Sequence, residues 1–309
     1  MSAQGPEAIV VGRLAADLYP EQHEVPLEDV STFRRFVGGF AGNVCFGLAR
    51  LGVRTAIVSA VGDDGHGRYL RRELEAEGVD CRFLGVHPSL RTALTFCEVW
   101  PPDRFPITFY RTPTCPDWEI GPDAVDAGAV RAAGLVYVSG TGLAVEPSRG
   151  TTMAILEARG GREHTILDLD WRAELWSSRD AYAAAVAAAL PHATTIFGGD
   201  AEWEAAGVDP ASDLPATRVV KHGPHGVTVH APGGAAHDAP GLPVPVVNGL
   251  GAGDAFGAAY GYALLRDLPP APLANAAGAI VATRLSCSAA TPRRDELHTF
   301  LERHTKETA

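Results

Sequence analysis

Six short apolar runs, at 8–12, 55–61, 134–139, 164–169, 195–197 and 218–221, alternate along most of the chain with helix-like stretches at 41–51, 67–77, 149–158, 181–190 and 201–206. Runs this short and this apolar read as strands buried on both faces. Strands separated by helices are joined by crossovers, which build a parallel sheet covered by helices on both sides. The expected fold class is therefore α/β, a three-layer α/β/α arrangement around a mostly parallel central sheet. In such sheets ligands collect at the carboxyl ends of the strands, where Gly12, Ser139 and Asp168 to Asp170 would lie. Two segments break the rhythm. Residues 13–36 are polar and irregular. Residues 90–120 hold alternating, half-exposed strand patterns around the turn Pro101-Pro-Asp-Arg104. Both fit a small β lid on a single domain spanning 1–309, and an apolar lid face would suit a homodimer. Residues 231–241 read as a Pro/Gly/Ala hairpin loop.

The segment 248–265 carries the most specific chemistry. Gly251, Ala252 and Gly253 have almost no side chain, so the backbone can turn sharply and aim its N–H groups together at the start of a helix. Such a cluster is an anion site, usually for phosphate. Asp254 sits inside it. A carboxylate there repels a phosphate unless it takes a proton from an attacking hydroxyl. The plainer alternative is a glycine turn with an N-capping Asp.

A formal charge of −11 argues against nucleic acid or an anionic membrane surface as partner. The five cysteines have no CxxC spacing and read as reduced, buried thiols, which with no leader-like start at 1–7 points to the cytoplasm. No HExxH, paired Cys or close His cluster suggests a transition metal.

The residues resemble the ribokinase-like (PfkB-type) carbohydrate kinases over essentially the whole length. Val37-Gly-Gly-Phe-Ala-Gly-Asn-Val-Cys-Phe-Gly-Leu-Ala-Arg-Leu-Gly52 is similar to the family's first signature, Val61-Gly-Asp-Asp-Gly-His-Gly-Arg68 follows it, and Gly251-Ala-Gly-Asp-Ala-Phe256 is similar to the second. There is no GxxxxGK[ST] loop, so the resemblance implies a kinase without a Walker motif. Within the family, 12–20, 96–111, Leu167-Asp-Leu-Asp-Trp-Arg172 and 275–284 resemble the 5-dehydro-2-deoxygluconokinases of myo-inositol breakdown, which are similar in turn to 2-keto-3-deoxygluconate kinases. The implied activity is ATP-dependent phosphorylation of the terminal hydroxyl of a keto-sugar acid, 5-dehydro-2-deoxy-D-gluconate first.

The resemblance also implies residue roles. Asp254 would be the base, with the amides of Gly251, Ala252, Gly253 and Asp254 as anion hole; one preorganised donor is worth about 3–4 kcal/mol in other systems. Asp17, Gly38, Gly39 and Asn43 would meet sugar hydroxyls, and Arg111 and Arg172, with Arg91 a weaker candidate, the carboxylate. Lys221, Gly223, Gly226 and Asn275 would form the ATP pocket, and Glu202 would organise the water shell of Mg2+. A monovalent cation such as K+ is a further implied cofactor. The chain departs from the family pattern at Gly199, where an Asn is usual (Asp200 stands beside it), at Asn248-Gly249 in place of Asp-Thr, and at Ser286 in place of Gly. A 2-keto-3-deoxygluconate kinase, a fructokinase and a sugar-sensing pseudokinase are the alternatives; retention of Asp254 argues against the last.

Overall fold

The computed structural model describes residues 5–162 and 164–307. The chain enters through β1 (Ala8–Val11) and leaves the main sheet at once for β2 (Ala15–Pro20) and β3 (Phe33–Gly38). Helix α1 (Phe40–Arg50) returns it to β4 (Thr55–Gly62), and α2 (Gly65–Ala76) leads to β5 (Leu84–His87). A second excursion forms β6 (Leu94–Cys97) and β7 (Ile107–Tyr110). Then α3 (Ala127–Ala132), β8 (Leu135–Ser139), α4 (Ser148–Arg159), β9 (Thr165–Asp168), α5 (Arg179–Ala189), β10 (Thr195–Gly199), α6 (Asp200–Ala206) and β11 (Thr217–Lys221) alternate. The hairpin β12 (Gly226–His230) and β13 (Ala236–Pro240) precedes α7 (Ala252–Leu264), α8 (Pro270–Ala282) and α9 (Arg294–Glu307).

The nine-stranded sheet has the order β13-β12-β11-β10-β9-β8-β1-β4-β5. Its strands are parallel from β11 to β5, and only β12 and β13 run antiparallel. Side-chain alternation explains the three layers. Ile9 and Val11 pack into the layer of α3 to α6, whereas Ala8 and Val10 pack into that of α1, α2 and α7 to α9. Tyr137 and Ile166 face the second layer, and Val136, Val138 and Leu167 the first. Fully burying one such aliphatic side chain contributes about 1.5–3 kcal/mol. The sheet grows from β1 in one direction and from β8 in the other, so the crevice between their carboxyl ends is the switch point where ligands bind.

The four-stranded lid has the order β3-β2-β6-β7. Residues 13–36 are less irregular than their composition suggests. Ala15, Ala16 and Tyr19 of β2 are buried, and so is Asp17 between them, so both faces are covered and no polar alternation marks the strand. Residues 231–241 likewise contribute β13, whose exposed, polar edge position hid it from an apolar reading. All five cysteines are free and buried. Among the described residues no helix is long and apolar enough to cross a membrane.

One contact between layers is unusually tight. A Cβ at Gly257 of α7 would lie 2.0 Å from the hydroxyl of Tyr137, which is fully buried and donates to Asp168 Oδ2 at 3.2 Å. Gly257→Ala is therefore expected to destabilise the protein by about 1–3 kcal/mol through overpacking. Urea unfolding measures this, and an unchanged midpoint would contradict the packing described.

Candidate functional site

Two clefts open at the carboxyl edge of the sheet, and the first turn of α7 is the wall between them. Leu250, Gly251 and Asp254 line one cleft; Gly249, Ala252 and Gly253 line the other. Gly251 adopts φ +80°, and a Cβ there would fall 2.5 Å from Cys287 Cβ, so only glycine makes this turn. Among the described residues the N–H groups of Gly253 and Asp254 meet no acceptor, and that of Ala252 reaches the Gly249 carbonyl only at 3.4 Å. The turn is thus an open anion cradle at a helix N-terminus.

The first cleft lies under the lid, lined by Asp17, Gly39, Asn43, Thr95, Arg172 and Asp254 among others. Asn43 of α1 donates Nδ2 to Asp254 Oδ2 at 2.7 Å, across 211 residues of sequence. Burial, reinforced by the negative charge of Asp170, pushes Asp254 up to about 7; the Asn43 hydrogen bond and Arg172 only partly offset this. Burial pushes Asp17 up to about 7 as well, against the Thr95 hydroxyl and the guanidinium groups of Arg13 and Arg111. Asp17 Oδ1 and Asn43 Oδ1 are buried without a partner among the described residues. Buried oxygens without donors await them, and sugar hydroxyls are donors. Gly38 and Gly39 let these groups approach. A Cβ at 38 would come within 1.9 Å of the Asp17 carboxyl, and one at 39 within 2.6 Å of the Arg13 carbonyl.

The second cleft is larger, about 490 Å³, and mostly apolar, with Lys221, Gly223, Gly226 and Asn275 on its walls. Leu242, Val244, Val246, Ala279 and Ala282 supply its apolar lining. Lys221 Nζ lies 3.2 Å from both oxygens of Asp168 and 3.9 Å from Glu202 Oε2. Burial works against the ammonium, but Asp168 and Glu202 outweigh it and raise its pKa, so Lys221 stays charged. The lid turn reaches this cleft too, through Pro102 and Asp103.

A model of the family described as pfkB family carbohydrate kinase matches residues 6–294. The chain belongs to that family. This kinase is 30% identical over 312 residues to the 5-dehydro-2-deoxygluconokinase of Shouchella clausii, covering 96% of this chain and 95% of the relative. It is 31% identical over 319 residues to that of Geobacillus kaustophilus, covering 97% and 95%. Among solved structures, an uncharacterized sugar kinase of Pyrococcus horikoshii in complex with ATP superposes with a TM-score of 0.85 at 25% identity, over 96% of this chain and 99% of that one. A putative ribokinase II of Escherichia coli, at TM-score 0.86 and 21% identity over 97% and 100%, shares the fold.

The structure brings Asp17, Gly39, Asn43, Arg172, Gly251 and Asp254 to one cleft of the kinase and Lys221, Gly223, Gly226, Ala252, Gly253 and Asn275 to the other. Arg111 is buried and is not among the residues lining either cleft. Its Nη2 donates to the buried Asp117 at 2.6 Å, its guanidinium lies 4.5 Å from the Trp118 ring centre, and Nε and Nη1 are buried without a partner among the described residues. Asn275 ties α8 to β13 by donating to the carbonyls of Ala239 and Pro240. Glu202 accepts from the N–H of Gly199 at 2.7 Å and of Trp171 at 3.2 Å. Asp200, beside the position where an Asn is usual, has Oδ2 3.1 Å from His222 Nδ1. Gly249 has a steric reason: a Cβ there would lie 3.0 Å from Phe105 of the lid. Arg13 lines the first cleft and was missed, since a residue just past a strand in a polar stretch carries no distinguishing pattern.

Both Asp17 and Asp254 lie above the ordinary carboxylate range, so lowering the pH through 7 protonates them and removes the acceptors. With ATP and metal saturating, kcat/KM for the sugar is expected to fall below about pH 7 with a slope approaching two protons, and with a slope of one in Asp17→Asn. Initial rates from about pH 5.5 to 8.5 test this. A flat profile would contradict the assignment.

Proposed function

We propose that this sugar kinase transfers the γ-phosphoryl group of ATP to the terminal hydroxyl of a keto-sugar acid, with 5-dehydro-2-deoxy-D-gluconate as its substrate. The observation that carries the proposal is the shared first turn of α7, which puts one carboxylate in a polar cleft under the lid and an amide cradle, unpaired among the described residues, at its boundary with a larger apolar one. Asp254 takes the proton of the sugar hydroxyl as its oxygen attacks phosphorus. The amides of Gly253 and Asp254, with Ala252, receive the charge that develops on the transferring group. Asp17 and Asn43 hold neighbouring hydroxyls, and Lys221 adds positive charge on the ATP side. Phosphoryl transfer asks for positioning and charge stabilisation above all, so this short set suffices.

Magnesium, when bound with ATP, neutralises phosphate charge. Among the described residues no three His, Cys, Asp or Glu side chains converge on a metal position. Phosphate and water oxygens would therefore supply most ligands, as suits this ion. Both Glu202 oxygens already accept an N–H, but an ionised carboxylate oxygen accepts more than one hydrogen bond, so Glu202 fits the role of a water anchor.

Two features support an acid rather than a neutral sugar. Arg172 lies at the cleft with its Nε 3.2 Å from Asp170 Oδ1, and the relatives named above are 5-dehydro-2-deoxygluconokinases. A coupled assay for ADP release across 5-dehydro-2-deoxygluconate, 2-keto-3-deoxygluconate, fructose and ribose tests the substrate; the first is expected to give the highest kcat/KM. Asp254→Asn is expected to lower kcat by about 10²–10⁴-fold while ATP and sugar still bind, the range for a lost general base. Near-normal kcat in that variant would remove Asp254 from the mechanism.

A further inference from the structure

Arg13 is almost wholly buried, yet it lines the sugar cleft together with Asp17, Asn43, Arg172 and Asp254. It follows β1 at the switch point of the sheet. Its Nε donates to Thr141 Oγ1 at 2.8 Å and its Nη2 to Asp170 Oδ2 at 2.8 Å, so two edges of the guanidinium are fixed. Nη1 has no hydrogen bond among the described residues. The Phe109 ring of the lid covers the group at 5.8 Å. Asp170 also serves Arg172, whose Nε lies 3.2 Å from its other oxygen, so one carboxylate holds two guanidinium groups at the mouth of one cleft. Asp170 sits at φ +39°, a conformation few non-glycine residues adopt, and Thr141 Oγ1 donates to it at 2.7 Å. Strained backbone of this kind persists where the surroundings over-determine it, typically at ligand clamps. Arg13 and Arg172 hold Asp170 between them and are the two cations lining a cleft whose lining carboxyls are Asp17 and Asp254.

We propose that Arg13 is a specificity-determining residue of this kinase: with Arg172, and oriented by Asp170 and Thr141, it binds the carboxylate of the sugar acid. The proposal rests on the sugar-acid reading above and adds a residue to it. Arg111 pairs with Asp117 and is not among the residues lining the cleft, whereas Arg13 lines it and is preorganised by two partners. Arginine's planar fork suits carboxylates, and its rotamer entropy is already spent on Thr141 and Asp170.

The test compares 5-dehydro-2-deoxygluconate with its neutral C1 amide in the wild type, Arg13→Gln and Arg13→Lys. The wild type is expected to favour the acid. Arg13→Gln is expected to lose about 10- to 100-fold in kcat/KM for the acid, carried by KM and clearly more than its loss on the amide, with the KM for ATP unchanged; a lost hydrogen bond to a charged group has this size. Arg13→Lys keeps the charge without the fork and should lose about 3- to 10-fold on the acid alone, which preserves the test if the Gln variant does not fold. A variant that loses acid and amide alike, or neither, overturns the role of Arg13 while the sugar-acid reading stands. A wild type that takes both equally well overturns both.

Discussion

The site depends on one steric fact: the chain can turn into α7 only because position 251 is a glycine. Cys287 occupies the space a Cβ at Gly251 would need, and Gly251 holds φ +80°. From that turn two consequences follow at once. Among the described residues the amides of Gly253 and Asp254 are left without acceptors at a positive helix end, and the Asp254 carboxyl lines the neighbouring cleft. Asn43, from a helix at the other end of the chain, fixes the carboxyl by a 2.7 Å hydrogen bond. An anion cradle and a proton acceptor thus share one helical turn.

The electrostatics of the cleft are graded. Burial alone would raise Asp170, but Arg13 and Arg172, with hydrogen bonds from Arg13 and Thr141, hold it below the usual carboxylate range. Its permanent charge then helps lift Asp254. Asp168 is pushed up to about 6 by burial, against the Lys221 ammonium. One acid is therefore fixed as a counter-ion while others stand near neutrality, the separation that lets carboxylates of one site take different roles.

Much of this was legible in the sequence because it is local. Strand–helix alternation gives the sheet, and Gly251-Ala-Gly-Asp254 gives the cradle within four residues. What escaped is non-local. Arg13 meets Asp170 across 157 residues and two strands, and no spacing rule connects them. Arg111 sits at the end of a lid strand as expected, but the Asp117 it pairs with lies in a 3-10 turn with no pattern of its own. β2 and β13 were hidden for opposite reasons. The first is covered on both faces despite carrying an acid, and the second is an exposed edge. The glycines divide the same way: Gly251 announces a turn, whereas the need for Gly249 appears only when Phe105 is seen against it.

At the centre of this account is a single carboxyl, that of Asp254, kept near the midpoint of its ionisation so that it can accept a proton from an alcohol at neutral pH. Carboxyl-carbon NMR, with the Asp254 resonance assigned by its loss in Asp254→Asn, measures that ionisation in the free protein. A midpoint near 7 is the expected result. A midpoint near 4, the value of an ordinary solvated aspartate, would contradict it.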